Sequence, residues 1–397
     1  MIQVAVLGFG VVGSGVAELL TGRGEGQNRP ADDLLSLKYI LDVRDFPDSP
    51  FADCFVKDFS VIEQDPEIDI VVETIGGASI ALEFTERALR AGKNVVTSNK
   101  EVVAKHGYRL MELAREHHVT YLFEASVGGG IPILRPLNQC MAANEILEIC
   151  GILNGTTNYI FTRMIAGGLR FEDALKEAQE KGYAERDPSA DIEGHDTCRK
   201  ICIMASIAFG FHVLPDQVQT IGISQVSLED VAYASALGYK IKLLGRATKQ
   251  EDGTICAYVE PHLVSLQDPL AGVEDVFNAI KVKGNATGDV MFYGKGAGKL
   301  PTASAVVADV IAIGRQMQRS AYRPWQPPRP EATVSADAIR SRFLVRVRGE
   351  DLPLGEEVTL AQPIPGEKVM RTPAMTRPEL ETRLQQSEVL SVLRILD

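Results

Sequence analysis

Basic residues are in deficit: 41 Lys and Arg stand against 53 Asp and Glu, a formal net charge of −12. That balance excludes non-specific nucleic-acid binding, which needs a basic surface. No run of 18 or more apolar residues occurs, so no segment reads as a membrane-spanning helix. The chain opens on a strand pattern, IQVAVLGFG, without the basic stretch and cleavage site of a secretory signal, so a cytoplasmic location is expected. Cysteine is sparse and scattered (Cys54, Cys140, Cys150, Cys198, Cys202, Cys256), with no C-x-x-C pair. Only Cys198 and Cys202 lie a helical turn apart, near His195. That ligand supply is thin for a metal, and buried thiols in a reducing compartment are the plainer reading. At 397 residues the chain exceeds one ordinary core, and two or three domains are expected.

What is present begins with a short apolar run at 2–8, ending in Gly8-Phe9-Gly10-Val11-Val12-Gly13. This G-x-G-x-x-G follows a strand and opens a helix, which is where it has meaning. Gly8 permits the tight turn, Gly10 lets backbone approach a pyrophosphate, and Gly13 lets the helix close on the strand. A polar, glycine-rich loop follows over 21–33, then a strand over 37–43 with Asp42, Arg44 and Asp45 at its tip. An acid at that tip would hold a ribose 2′-hydroxyl and an arginine a 2′-phosphate, so NAD and NADP both stay open. Further strands at 68–72, 94–97 and 120–124 alternate with helices at 79–91 and 101–117. Polar or glycine residues close each strand: Glu73-Thr74-Ile75-Gly76-Gly77, Ser98-Asn99-Lys100, and Ala125 to Gly130. The fold class is α/β, a Rossmann-type doubly wound parallel sheet, with ligands expected outside the strands' carboxyl ends.

After Ala143 the pattern changes to a second, α+β domain. It holds a strand at 146–153, the segment Asn154-Gly155-Thr156-Thr157-Asn158, helices near 159–166, 171–181, 215–221 and 228–238, and strands at 255–264 and 276–283. Its focus is Gly182 to Lys200, GYAERDPSADIEGHDTCRK, with carboxylates at 185, 187, 191, 193 and 196 running into an apolar helix. With that helix starting near Thr197, Asp196 and Lys200 fall on one face with Met204 and Ile207. Charges on a buried stripe are costly unless paired or used. The plainer alternative makes Asp196 an N-cap and lets Lys200 snorkel to water. A second glycine-rich loop, Gly294 to Gly298, leads into a long apolar helix near 303–317, with no strand before it in the first domain's style. The expected organisation is 1–143 for the dinucleotide domain (completed by about 299–325), 144–298 for the second domain, a proline-rich linker at 324–333, and a small α+β tail at 334–397.

Composition and spacing reach an NAD(P)-dependent oxidoreductase whose acidic stretch could grip a substrate amino group. Seven segments in order carry it further: LGFGVVGSGV, DIVVETIGG, VVTSNKEVVA, EASVGGGIPI, GILNGTTNYIF, KGYAERDPSADIEGHDTCRK and GKGAGKLPTASAVVADV. Through these, over about residues 2–320, the chain resembles the homoserine dehydrogenases. The resemblance implies reversible NAD(P)H-dependent reduction of L-aspartate 4-semialdehyde to L-homoserine, on the route to threonine and methionine. It makes the second domain catalytic and dimerising, in a homodimer without nucleic-acid or membrane partners.

The resemblance also implies roles residue by residue. Phe9, Gly10, Val11 and Val12 line the pyrophosphate, with Ser98, Asn99, Gly182 and Gly298 nearby. Arg44 and Lys57 match positions for the 2′-phosphate of NADP. Glu185, Asp191 and Asp196 hold the substrate ammonium and its surroundings, while Gly155, Thr156 and Tyr183 help to seat it. Lys200 matches the proton donor and Lys100 the other active-site lysine. Glu124, Val127, Gly129 and Ile131 match a monovalent-cation site, typically Na+, built largely from backbone carbonyls. The tail resembles a shortened ACT domain: its ending fits the last helix and strand, but FLVRVRGEDLPLGEE lacks the D-x-x-G-x-x-A turn. The resemblance therefore stops short of implying threonine feedback. Two other readings are an aldehyde-oxidising semialdehyde dehydrogenase, which needs an activated cysteine, and a non-catalytic NAD(P) sensor.

Overall fold

The computed structural model describes residues 1–23, 33–315, 325–348, 354–358, 364–385 and 387–396. Its first elements are β1 (Ile2–Leu7), α1 (Val11–Thr21), β2 (Leu35–Leu41), β3 (Phe55–Val56), α2 (Phe59–Gln64), β4 (Ile68–Glu73), α3 (Ser79–Arg90), β5 (Asn94–Thr97), α4 (Lys100–Glu116) and β6 (Tyr121–Leu122). Then come β7 (Ile146–Ile152), α5 (Gly155–Gly167), α6 (Phe171–Glu180), α7 (Ser189–Ile192), α8 (His195–Phe209), β8 (Gln219–Thr220), α9 (Leu228–Ala236), β9 (Tyr239–Lys249), β10 (Ile255–Ser265), β11 (Phe277–Gly284) and β12 (Gly288–Lys295). The chain ends with α10 (Lys299–Gly314), β13 (Phe343–Arg348), β14 (Glu356–Glu357), β15 (Glu367–Arg371), α11 (Arg377–Leu384) and β16 (Glu388–Ile395). Among the described residues no helix is long and apolar enough to cross a membrane.

Two compact units form. The first comprises Met1–Glu145, Cys202–Pro215 and Gly294–Arg329. Its six-stranded sheet has the order β3-β2-β1-β4-β5-β6, every neighbouring pair parallel. Val4 to Leu7, Ile70 to Val72, Val95 and Val96 are fully buried, as strands covered on both faces must be. The strand order reverses between β1 and β4, which places the crevice at their carboxyl ends. Helix α1 packs closely on α10, because Gly15 has no Cβ to strike Ala303 and Lys299.

The second unit comprises Ile146–Ile201, Asp216–Tyr293 and Pro330–Asp397. Its sheet runs β12-β11-β7-β9-β10-β16-β13-β15-β14, with β8 also pairing β10. Strand β10 is buried from Ile255 to Val264 and forms the sheet's spine.

Several expectations need correction. The strand at 37–43 runs Leu35–Leu41, so Asp42 to Asp45 form the loop beyond it. The helix near 215–221 is a tight turn at Pro215–Gln217 followed by β8, because Gln219 and Thr220 pair with Tyr258 and Val259 of β10. Strands β9 and β12 were missed, and β12 leads directly into the second glycine loop. The helix after that loop starts at Lys299, not Ala303, and positions beyond 315 fall outside the described residues. The proposed boundaries also shift. The proline-rich segment is not free: Trp325 is buried against Phe123 and His212, and Gln326 bridges Phe211. The tail is no separate domain, because β16 joins β10 in parallel through His262↔Arg394 and Leu263↔Ile395.

Candidate functional site

In the first unit, the glycine-rich turn has the geometry that its spacing requires. Gly8 has φ +89, and a Cβ on Gly13 would lie 1.9 Å from the Gly8 carbonyl oxygen. Space beside Gly10 is open, with no heavy atom within 4 Å of a Cβ built there. Gly10 caps α1 with no side-chain bond, so no cap side chain occupies the first-turn amides, the groups by which a helix N-terminus can receive an anion. Val11 is 68% exposed at this edge, and Val12 is half-buried. Gly298, with φ +124, likewise starts α10 without a side-chain cap.

Asp42 is committed to protein groups. Its carboxylate accepts from Phe9 N at 2.8 Å and from Arg44 N at 2.9 Å, and Arg44 adds Nε at 3.0 Å and Nη2 at 2.9 Å. The Arg44 guanidinium, aided by these amides, holds Asp42 well below the usual carboxylate range. Arg44, 60% exposed on its side chain, lies over the Phe46 ring. Lys57 bonds the Arg44 carbonyl at 2.5 Å and pairs with Asp45 at 2.8 Å. The loop beyond β2 therefore carries two half-exposed cations, each paired with an aspartate.

At the next two strand ends, Ser98 N donates to Glu73 O at 3.3 Å. Asn99 caps α4 through Glu101 N and Val102 N. Half-buried Lys100 is the first residue of α4, where the helix dipole disfavours a cation.

The second unit assembles the acid–lysine cluster. Helix α8 begins at His195, so Asp196 lies inside its first turn and is not the N-cap. Lys200 is buried and does not snorkel: its Nζ donates to Leu153 O at 2.7 Å and to Asp196 Oδ2 at 2.8 Å. Asn154, the N-cap of α5, donates through Nδ2 to Asp191 Oδ1 at 2.7 Å and to Asp196 Oδ2 at 2.9 Å. One amide thus bridges two carboxylates, and burial, then the Asp196 charge, pushes Asp191 up. Thr156 Oγ1 donates to the Tyr183 carbonyl at 2.7 Å, and the Tyr183 ring meets Tyr159 edge-on. Gly155 is required where it is, since a Cβ there would lie 2.8 Å from Val276 O. Glu185 and Gly182 stay exposed on the preceding loop, where Gln179 holds the Glu185 carbonyl. Asp187 only braces its turn, accepting from Ser189 N and Oγ.

The candidate cation loop is fixed from outside. Glu124 Oε1 accepts from Ile133 N and Leu134 N, and Oε2 from Arg135 N, so the carboxylate is spent on amides. Asp309 accepts Glu124 N and pairs with Arg135, and burial pushes its carboxyl up to about 7. A Cβ on Gly128 would lie 2.2 Å from Ile131 O, and one on Gly129 (φ +56) 2.4 Å from Gly296 O. Among the described residues no set of three His, Cys, Asp or Glu side chains could hold a metal.

Sequence reasoning missed Asn154 and Glu73. Asn154 carried a legible signal, an asparagine immediately before a helix start. Glu73 did not, because its burial depends on strands that neighbour it only in space.

Comparison with known proteins adds independent findings. Residues 8–124 match the family model "Homoserine dehydrogenase, NAD binding domain", and residues 132–311 match "Homoserine dehydrogenase". The homoserine dehydrogenase of Neisseria gonorrhoeae is 39% identical over 361 residues, covering 89% of this chain and 83% of that one. The crystal structure of a homoserine dehydrogenase from Thiobacillus denitrificans superposes with a TM-score of 0.89 at 34% identity, covering 100% of this chain and 98% of that one. A hyperthermophilic archaeal homoserine dehydrogenase in complex with NADPH gives 0.65 at 28% identity, covering 78% and 97%.

Proposed function

The chain belongs to the homoserine dehydrogenase family and is an NAD(P)-dependent oxidoreductase; from that premise we propose how its residues divide the work. A bound dinucleotide would supply the hydride for reducing the aldehyde carbon of L-aspartate 4-semialdehyde to the alcohol of L-homoserine. Amides at the start of α1, with Gly8, Phe9, Gly10, Val11, Val12 and Gly13, would receive its pyrophosphate. Ser98, Asn99, Gly182 and Gly298 would complete that contact. Arg44 and Lys57 would take a 2′-phosphate, a preference for NADP supported by Asp42 being spent on Arg44 and the Phe9 amide.

Asp191 and Asp196, with Glu185, would receive the substrate ammonium, and Gly155, Thr156 and Tyr183 would seat the rest. When the carbonyl oxygen gains negative charge, Lys200 donates a proton to it. Asp196 Oδ2 and Leu153 O hold the Lys200 ammonium in one orientation for that transfer. Lys100 is the second active-site lysine. The buried cluster of Asp196, Lys200, Asn154 and Asp191 is the observation that carries this reading. The loop at Glu124, Val127, Gly129 and Ile131 would hold Na+, stiffening the segment between β6 and β7. The active form would be a cytoplasmic homodimer serving threonine and methionine synthesis.

The aldehyde-oxidising alternative is not favoured. Burial pushes the Cys150 and Cys256 thiols up to about 12, the reverse of an activated nucleophile.

The test is steady-state reduction of aspartate semialdehyde with NADPH and with NADH, without phosphate. Turnover with either, lost in Lys200→Ala, is expected. No turnover with both cofactors, or near-normal turnover in the variant, would refute the reading.

A further inference from the structure

Glu73 is the last residue of β4, at the strand-order reversal, and it is completely buried. Its Oε1 accepts from Ile75 N at 2.6 Å and its Oε2 from Thr97 Oγ1 at 2.5 Å. Thr97 Oγ1 in turn accepts from Asn99 N at 2.9 Å. Asn99 Nδ2 returns to the first loop, donating to Ile75 O at 3.2 Å and Gly77 O at 2.6 Å. One carboxylate therefore sews together the loops at 74–78 and 98–100, which close β4 and β5.

The surroundings offer this carboxylate no ion pair among the described residues. From β1 it neighbours Leu7 and from β5 Thr97, and its charge opposes ionisation of the buried Tyr121 hydroxyl on β6, one strand further away. The buried face of α3 is Ala81, Thr85, Ala88 and Leu89. On α10 the only buried charge is Asp309, committed to Arg135 and the Glu124 amide. At the start of α4 the facing side chain is Asn99, with Lys100 one residue beyond. Burial pushes the Glu73 carboxyl up to about 7.

We propose that Glu73 is a positioning residue of the dinucleotide site: its charge holds the 74–78 and 98–100 loops in place for the dinucleotide, and a proton on it loosens that hold. The proposal rests on the dinucleotide binding at this edge. Its physical basis is that hydrogen bonds to an ionised acceptor are shorter and stronger than neutral ones. A protonated carboxyl also turns one oxygen into a donor, which weakens it as an acceptor for the Ile75 amide or the Thr97 hydroxyl. The charge has a cost. With the folded value above the ordinary one, the penalty on stability is absent at low pH, grows as pH rises toward 7, and persists above it. A glutamine of the same shape would escape that desolvation cost, and the Thr97 hydroxyl could turn to accept from its amide, so a purely structural role does not require the acid.

The experiment measures the Kd of NADPH by calorimetry from pH 6 to 8.5 for the wild type and for Glu73→Gln, with thermal unfolding of both. The ratio of the two Kd values cancels the ionisation of the cofactor's own phosphate. It should be near one at pH 6 and rise to about fivefold at pH 8.5, the scale of one charge-assisted bond against a neutral one. Over the same range, Glu73→Gln should melt no lower than the wild type at pH 8. Thr97→Val, which removes the donor instead, should give the same trend if the glutamine variant folds poorly. A ratio independent of pH overturns the proposal, as does a loss of affinity that merely tracks a lowered Tm. Failure of the wild type to bind NADPH at any pH would bring down the dinucleotide reading itself, and Glu73 with it.

Discussion

Replacing Lys200 by methionine should destabilise the second unit as well as abolish turnover. The side chain lies in a closed setting, 8% exposed, against an Asp196 side chain 3% exposed. Methionine keeps most of the volume but removes the ammonium. Asp196 and Asp191 would then be joined only through the Asn154 amide. Removing one partner of a buried pair costs about 3–5 kcal/mol, because the other charge stays buried. The sign with pH follows from Asp191, whose carboxyl is raised by burial and by Asp196, while Lys200 pulls it down. Without Lys200 it rises further, so ionised Asp191 costs more at high pH and takes up a proton as pH falls. The gap between variant and wild type should be widest at pH 8 and narrow toward pH 5. The chain has two compact units, so a single global transition is a poor reporter. Hydrogen exchange of peptides from 146–201, compared at matched pH, reads the right unit. Lys200→Arg should preserve protection there while lowering kcat. Wild-type protection in Lys200→Met at pH 8 would refute the burial argument.

Asn154→Ala removes a helix cap worth about 1 kcal/mol and the bridge between two carboxylates, so the KM for homoserine should rise well beyond the stability loss; an unchanged KM in steady-state assays would contradict the bridge. Arg44→Ala should raise the KM for NADPH about tenfold, one charge-assisted contact to phosphate, and leave NADH nearly untouched; equal effects would mean that Arg44 does not meet the 2′-phosphate. Gly107→Ala would put a Cβ 2.6 Å from Trp325 Cζ3 and should destabilise the first unit by about 1–3 kcal/mol. The chain's single tryptophan reports this directly, and an unshifted fluorescence melt would count against it.

The dinucleotide fold was legible because each of its features is local. Buried parallel strands read as short apolar runs, and Gly8, Gly10 and Gly13 fall at fixed offsets from β1. The pairing of Asp196 with Lys200 was legible for the same reason, since a four-residue spacing on a helix survives a two-residue error in its start. What failed was non-local. The stretch around Gln219 is a strand only because β10 supplies its partner, and Glu73 is buried only because β1 and β5 flank it. The tip of β2 left NAD and NADP open, because the commitment of Asp42 to the Phe9 amide and to Arg44 depends on a loop 33 residues away in sequence. The tail's chain order suggested a separate module, whereas β16 extends the second unit's own sheet.

That last difference bears on regulation. Arg394 is buried with its guanidinium between the Tyr258 and Phe343 rings, 5.1 Å from each centroid, and it bonds Glu260. Glu260 also takes Arg377 of α11 at 2.6 Å, and Ser341 Oγ accepts from Arg394 Nη1 at 2.6 Å. Strands β13 and β16 and helix α11 are thereby fastened to β10, the spine of the sheet. An effector shifts an equilibrium only by its differential affinity for two states. Detaching this tail would strand Glu260 and Arg394 without each other, at about 3–5 kcal/mol for a broken buried pair. An effector would need roughly a thousandfold preference for the detached state to populate it. Threonine at millimolar concentration should therefore leave the initial rate of homoserine oxidation unchanged. Inhibition that disappears in Arg394→Met would show that the tail moves after all.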